Sequence, residues 1–320
     1  MKILCAGLIV CDLIASPVPK NIMEIDACRI HKPKLASGGD ALNAAIIMSK
    51  LGAETALCGI AGDDVFGDFV LDQAAKAGVD ISTVTRSGVF STSMSIVLLE
   101  GEGERHFAYH GDSNNALSAE MILNCDLKGY RHLHVGSAMA LRSLDGEGLC
   151  EVLKRAKSLG LTTSFDVTWD NEGLWLAKIE KALGYCDYFL PSLEEAKMIS
   201  GCDDASGMRS FFSRFAILRL AVKMGKEGSY VTDFKDEDYV PIMDKGECID
   251  ATGAGDSYTS GFLLATLGGL DPHKSALFAT AVAADNVMSY GANAGVKSLE
   301  ETAAYLVANK YLTIEDVRRI

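Results

Sequence analysis

No Cys-x-x-Cys pair occurs among the nine cysteines, which lie scattered along 320 residues. That scatter offers neither the paired thiolates of a zinc site nor a disulfide framework, and it points to reduced thiols in a cytosol. Positive charge is scarce: 30 Lys and Arg face 43 Asp and Glu, a formal net charge of −13. Apart from the short Arg318-Arg319 pair no basic patch interrupts this balance, so no nucleic-acid partner is expected. No apolar run is long enough to span a bilayer, so no membrane partner is expected either. The opening run Ile3–Val10 is too short for a signal peptide, and Asp12 follows it, which makes a cytoplasmic location the expectation. Two nucleotide signatures are also missing. No Gly-Lys-Ser/Thr follows a glycine at Walker A spacing. A dinucleotide fingerprint starting at Gly253 and Gly255 would need its third glycine at Tyr258, and the first strand-like run lacks a Gly-x-Gly turn. An NAD-dependent oxidoreductase is therefore disfavoured.

What is present is regular. Strand-like runs alternate with amphipathic helical runs: Ile3–Val10, then Ala41–Leu51; Thr55–Ile60, then Phe66–Ala77; Arg131–Val135, then Gly146–Leu159. Leu161–Asp166, Cys186–Leu190 and Ile217–Val222 continue the strands, with a helix over Leu193–Ile199. The alternation predicts an α/β fold with a mostly parallel sheet flanked by helices. The last third reads as helical, over 254–267, 272–290, 298–308 and 314–319. No repeat or convincing linker divides the chain, so 1–320 is expected to be a single domain. Two segments break the alternation. Residues 12–35 hold three of the six prolines and have no helical period. Thr92–Leu99 and Arg105–His110 are β-rich and joined by Glu100-Gly101-Glu102-Gly103-Glu104, a hairpin signal. Strands from about 12–36 and 90–111 could form a small separate sheet.

Three stretches carry candidate chemistry. Asp250-Ala251-Thr252-Gly253-Ala254-Gly255-Asp256 opens directly into an apolar helical run. A glycine turn entering a helix presents unpaired N–H groups to a phosphate or a developing negative charge. Asp256 would stand in the first helical turn as a general base on an alcohol, or it would merely cap the helix. Gly38-Gly39-Asp40-Ala41-Leu42-Asn43 leads into a second helix, with Asn43 able to donate and accept and Asp40 able to cap. Asp12, just past the first strand, should face the crevice of an open α/β sheet.

Together these resemble the ribokinase-like, or PfkB, carbohydrate kinases across essentially the whole chain. Gly38, Gly39 and Asn43 match the first signature; Asp250, Gly253, Ala254, Gly255 and Asp256 match the second, roughly two hundred residues later. The resemblance implies ATP-dependent transfer of the γ-phosphoryl group to a hydroxyl, by analogy a hydroxymethyl, of a small sugar or sugar acid. It implies Asp256 as base and the backbone at Gly253, Ala254 and Gly255 as the phosphoryl cradle. Asp12, Gly38, Gly39 and Asn43 would hold the acceptor. Arg105 would touch it under a closed lid, or else pair on the surface. Ser192-Leu193-Glu194-Glu195 resembles the family's Asn-x-x-Glu motif, with Glu195 associated with Mg²⁺ and Ser192 where the family has Asn; alone it is a capping box. Lys223, Gly225 and Gly228 resemble the nucleotide loop, although a glycine turn with solvated lysines would read the same way. Asp250 and the loop from Gly291 to Gly295 would lie together and help hold a monovalent cation such as K⁺. Asp166 ends a strand where the family often continues with Asn and Arg, a pattern only partly kept. The small sheet would be a lid and a homodimer contact.

The competing readings are a nucleoside kinase of the same family, with Phe90, Phe107 and Tyr109 around a base, and a non-catalytic sugar sensor on the kinase fold. His132 and His134 share a strand face at a spacing metals can use, but with no third ligand they read as structural. Trp169 and Trp175 read as packing.

Overall fold

The computed structural model describes residues 1–31, 33–100 and 105–320. The chain order of strands is β1 Lys2–Gly7, β2 Val10–Val18, β3 Lys34–Gly38, β4 Glu54–Cys58, β5 Ile60–Gly62, β6 Thr85–Ser87 and β7 Met94–Glu100. It continues with β8 Arg105–His110, β9 His132–Ala138, β10 Thr162–Val167, β11 Tyr188–Phe189, β12 Arg219–Lys223, β13 Ser229–Thr232 and β14 Glu237–Val240. Eight of them form one sheet in the order β14-β13-β12-β11-β10-β9-β1-β4. Every pair from β12 to β4 is parallel; β12-β13 and β13-β14 are antiparallel.

The period-2 pattern of β1 shows why this sheet is covered on both faces. Ile3 and Cys5 enter one apolar cluster, with the helices Asp40–Lys50, Ala254–Leu267 and Pro272–Asn286. Leu4 and Ala6 enter the other, with the helices Glu147–Ser158, Leu176–Leu183 and Leu193–Ser200. A strand buried on both sides must be apolar at every position, which is the signature of a parallel α/β sheet. The helix Ala254–Leu267 is buried on every face from Ser257 to Leu267 rather than on one stripe. Its N-terminus is thereby fixed by the core.

Strands β3-β2-β7-β8 form a separate four-stranded sheet in the two regions that broke the alternation. Residues 101–104 of the hairpin lie outside the described part, and so does the side chain of Arg105, which begins β8. No helix among the described residues is long and apolar enough to cross a membrane.

The end of the second C-terminal helix differs from expectation. The helix begun at Pro272 ends at Asn286, not Tyr290. The side-chain amide of Asn286 donates to Thr252 O at 3.2 Å and Ala292 O at 2.9 Å, and its oxygen accepts from Gly295 N at 3.3 Å. These bonds turn the chain into a loop against the Asp250 segment, and an apolar pattern alone does not reveal them. The strand expected over Cys186–Leu190 is only Tyr188–Phe189. His132 and His134 are structural: both are fully buried and bonded at 2.8 Å to Thr162 and Ser164 on the next strand.

Candidate active site

The two glycine turns meet at the C-terminal end of the main sheet. Gly39 caps the helix Asp40–Lys50 at φ +90°, and a Cβ there would fall 2.5 Å from Leu8 O, between β1 and β2. A Cβ on Gly38 would fall 2.8 Å from Asp12 Cγ and nearer still to Oδ2. The glycine pair therefore lets Asp12 and the helix start approach each other. Gly253 caps the helix Ala254–Leu267 at φ +73°. A Cβ at this position would lie 2.5 Å from Ala292 C and Cα and closer to its oxygen, so the second turn is seated on the 290s loop.

Asn43 joins the turns. Its amide nitrogen donates to Asp256 Oδ2 at 2.7 Å, and its oxygen accepts from Asn293 Nδ2 at 3.0 Å. The two bonds fix which way the amide faces. Asn293 also donates to Ser37 Oγ at 3.1 Å, so a relay runs from the 290s loop through Asn43 to Asp256. The loop from Gly291 to Gly295 was expected beside Asp250, but its Asn293 was not expected to reach Asn43. Neither Asp40 nor Asp256 makes a side-chain cap bond in its helix, which corrects the reading of Asp40 as a cap. At the second helix start, Ala254 N donates to Ala251 O at 3.2 Å. The N–H groups of Gly255 and Asp256 have no partner among the described residues, so they are the donors left facing outward.

Asp40, Asp166 and Asp256 form an acidic cluster, with carboxylate oxygens all within 4.8 Å of one another. Ser137 ties two of them together: its N–H donates to Asp166 Oδ1 at 2.8 Å and its hydroxyl to Asp40 Oδ2. Ser137 does this at φ +64°, a left-handed conformation for a non-glycine residue. Burial pushes Asp256 up to about 7, and the neighbouring Asp40 adds to this; Asn43 and Lys223 work in the opposite direction. Asp40 and Asp166 are also raised to about 7, chiefly by burial. Burial raises Asp12 to about 6. Lys223, at the end of β12, lowers all three clustered acids and donates to Thr259 Oγ1 at 3.3 Å. It therefore acts as the fixed counter-charge of the site.

Ser192 and Glu195 make a complete capping box. Ser192 N donates to Glu195 Oε2 at 2.7 Å, and Glu195 N to Ser192 Oγ at 3.3 Å. Glu195 still adds repulsion to Asp40 and Asp166, which places it beside the cluster. Asp250 stands apart from the cluster; its carboxylate accepts from Thr252 N and Gly291 N, both at 2.9 Å, and so ties the second turn to the 290s loop. In the loop after β12, a Cβ on Gly228, at φ +95°, would press on Pro241 Cα at 2.8 Å, while Gly225 faces open space.

A cavity of about 710 Å³ opens beside Leu8 and Val10. Its walls come from β7 and β8 on one side and from the loops after β9 and β10 on the other. Phe107 and Tyr109 line it; Phe90 does not. Trp169 also lines it, half exposed and edge-on to Trp175 at 4.8 Å, so only Trp175 is a packing residue in the sense expected. Arg142, which sequence reasoning did not single out, lies in the same wall.

Residues 1–299 match the model of the pfkB family carbohydrate kinases. A 2-dehydro-3-deoxygluconokinase of Bacillus subtilis is 26% identical over 278 residues, 84% of this chain and 86% of its own. A nucleoside kinase of Methanothermobacter thermautotrophicus is 29% identical, covering 87% of each chain. A fructokinase double mutant of Vibrio cholerae, solved with fructose, ADP and potassium ion, superposes at a TM-score of 0.79 with 23% identity, covering 95% of this chain and 98% of its own. The chain belongs to the pfkB family of carbohydrate kinases.

Proposed function

We propose that this pfkB-family kinase transfers the γ-phosphoryl group of ATP to a hydroxymethyl group of a small sugar or sugar acid, with Asp256 as the general base. One observation carries the reading. Asp256 is held by Asn43 one turn inside a helix start whose Gly255 and Asp256 N–H groups have no partner among the described residues. A carboxylate raised to about 7 is matched to taking a proton near neutral pH. The acceptor hydroxyl gives its proton to an Asp256 oxygen as its own oxygen bonds to phosphorus, and the bond to the leaving ADP oxygen breaks. The N–H groups and Lys223 balance the charge on the moving phosphoryl group. Asp12 and Asn43 orient the acceptor, while β2, β3, β7 and β8 close over it and keep water out. Ser192 Oγ, which accepts from Glu195 N, keeps its own proton to donate toward a phosphate, as the family's Asn would.

The donor set fits Mg²⁺. Hard cations of this kind take carboxylate oxygens, and three converge here with Glu195 beside them. Asp40, Asp166 and Glu195 would hold it, directly or through water, and it would supply charge neutralisation at the phosphates. Asp250 and the loop from Gly291 belong to a K⁺ site in this reading; equal turnover with and without K⁺ would remove that part. The half-exposed Leu35 and Ile96 of the small sheet support pairing of two copies there, which sedimentation tests. Nine unpaired thiols support a reducing, cytoplasmic setting. Phe107 and Tyr109 in the cavity wall favour a nucleoside acceptor as the second reading. The test is ADP release with ATP and Mg²⁺ over pentoses, hexoses, sugar acids and nucleosides, with ³¹P NMR of the product. A phosphate ester on a sugar hydroxyl is expected. Stability of the fold toward heating raised by a sugar that is never phosphorylated would instead mark a sensor.

A further inference from the structure

The cavity wall carries five Asp, Glu, Lys and Arg side chains, and four of them are already held by other groups. Asp170 accepts from Lys178 Nζ at 2.8 Å and from the N–H groups of Glu172, Leu174 and Trp175. Glu172 holds the other side of Lys178 at 2.9 Å. Asp145 accepts from Met139 N at 2.8 Å and Leu141 N at 3.1 Å. Arg142 is the fifth, and it has no ion pair or hydrogen bond among the described residues. A guanidinium is always charged and offers a planar fork that fits carboxylate and phosphate oxygens in pairs.

The loop that presents Arg142 is braced. Met139 sits at φ +80°, a conformation a methionine adopts only when its surroundings enforce it. Asp145 clasps the turn from inside, and Lys178 Nζ donates to Met139 O at 3.3 Å from behind. Salt bridges that look like cavity charge are thus the scaffold that holds in place a cation unpaired among the described residues. His110, on β8 across the cavity, is a second side chain able to donate a hydrogen bond and has no ion pair among the described residues. Trp169, in the same wall, offers a half-exposed ring for the C–H face of a sugar.

We propose that Arg142 binds an anionic group of the acceptor, a carboxylate or a phosphate ester, at the end remote from the hydroxyl that Asp256 deprotonates. The substrate class is then an acidic sugar derivative rather than a neutral sugar or a nucleoside. This rests on the kinase reading above, and the experiment separates the two.

Matched sets of a neutral sugar, its acid and its phosphate ester are assayed with the wild type, Arg142→Gln and Arg142→Lys, and binding of the same compounds is measured by calorimetry without ATP. The wild type should prefer one of the anionic members at least tenfold in kcat/KM, and the acid and ester arms identify which. Arg142→Gln should lose about tenfold to a hundredfold toward that member, mostly in KM, and far less toward the neutral one, with Arg142→Lys intermediate. Equal losses toward neutral and anionic acceptors, or a wild-type preference for neutral sugars or nucleosides, would overturn the assignment of Arg142 while leaving the kinase reading intact. Anion binding that weakens in Arg142→Gln, with no turnover of any acceptor, would keep the assignment and overturn the kinase reading. Arg142 is exposed and has no partner among the described residues, so its replacement should leave the fold untouched.

Discussion

Gly253 and Gly255 look equivalent in the motif, yet they should fail in different ways when replaced by alanine. At Gly253 the added methyl meets backbone: Ala292 C and Cα at 2.5 Å, with φ at +73°. The left-handed conformation costs a non-glycine residue about 1–2 kcal/mol. Forcing a methyl into a packed backbone contact adds roughly 1–3 kcal/mol. Unfolding entropy of about 2.1 cal/mol/K per residue makes each kcal/mol worth roughly 1.5 °C for a chain of this size. Gly253→Ala should therefore lower Tm by about 3–7 °C. It should also cut kcat by roughly a hundredfold, because the helix start is displaced on the scale of an ångström. At Gly255 the nearest atom is Lys223 Nζ, 3.7 Å away, and no positive φ is required. Gly255→Ala should keep Tm within about 1 °C, since surface-like changes away from such features are nearly neutral. It should still slow turnover or raise KM for ATP, because the methyl projects toward Lys223, the cation proposed to balance the phosphoryl charge. Scanning calorimetry and steady-state kinetics on both variants check this. A destabilised Gly255→Ala, or a Gly253→Ala of wild-type stability and activity, would refute the reasoning.

Two charge changes should move the acid limb of the kcat/KM profile in opposite directions. Asp40 repels the ionised form of Asp256, so Asp40→Asn should shift the limb to lower pH, whatever it does to the plateau. Lys223 favours the ionised form, so Lys223→Met should shift it to higher pH and lower kcat. The same acids predict a stability trend. Their pKa values near 7 in the fold, against about 3.9 when unfolded, mean that the folded chain binds more protons between these values. Their contribution is therefore fully present below about pH 4 and is lost as pH rises through 7. Asp40→Asn should accordingly be more stable than wild type at pH 8, as read by thermal melts; a lower Tm there would contradict the picture.

Much of this site was legible because it is local. A glycine turn entering a helix is written in adjacent residues, and both turns lie where the sequence placed them, with the helix Ala254–Leu267 at the expected residues. The α/β alternation likewise reads from periodicity. What was not legible depends on chain segments far apart. Asp40 looked like a cap because aspartate usually is one at a helix start; only Ser137, ninety-seven residues away, reveals its other use. Asn293 joins the site only through Asn43, and Arg142 stands out only because the acids around it are held by other groups. The apolar pattern over 272–290 outruns the helix because it continues past the tertiary bonds of Asn286 that end it.

The central claim is that Asp256 takes the acceptor's proton, and Asp256→Asn tests it with almost no change in shape. With the acceptor found in the screen, kcat should fall by about 10²–10⁴-fold, while acceptor binding and Tm at neutral pH stay close to wild type or improve. A variant that turns over at more than a tenth of the wild-type rate would contradict it and pass the role of base to another group.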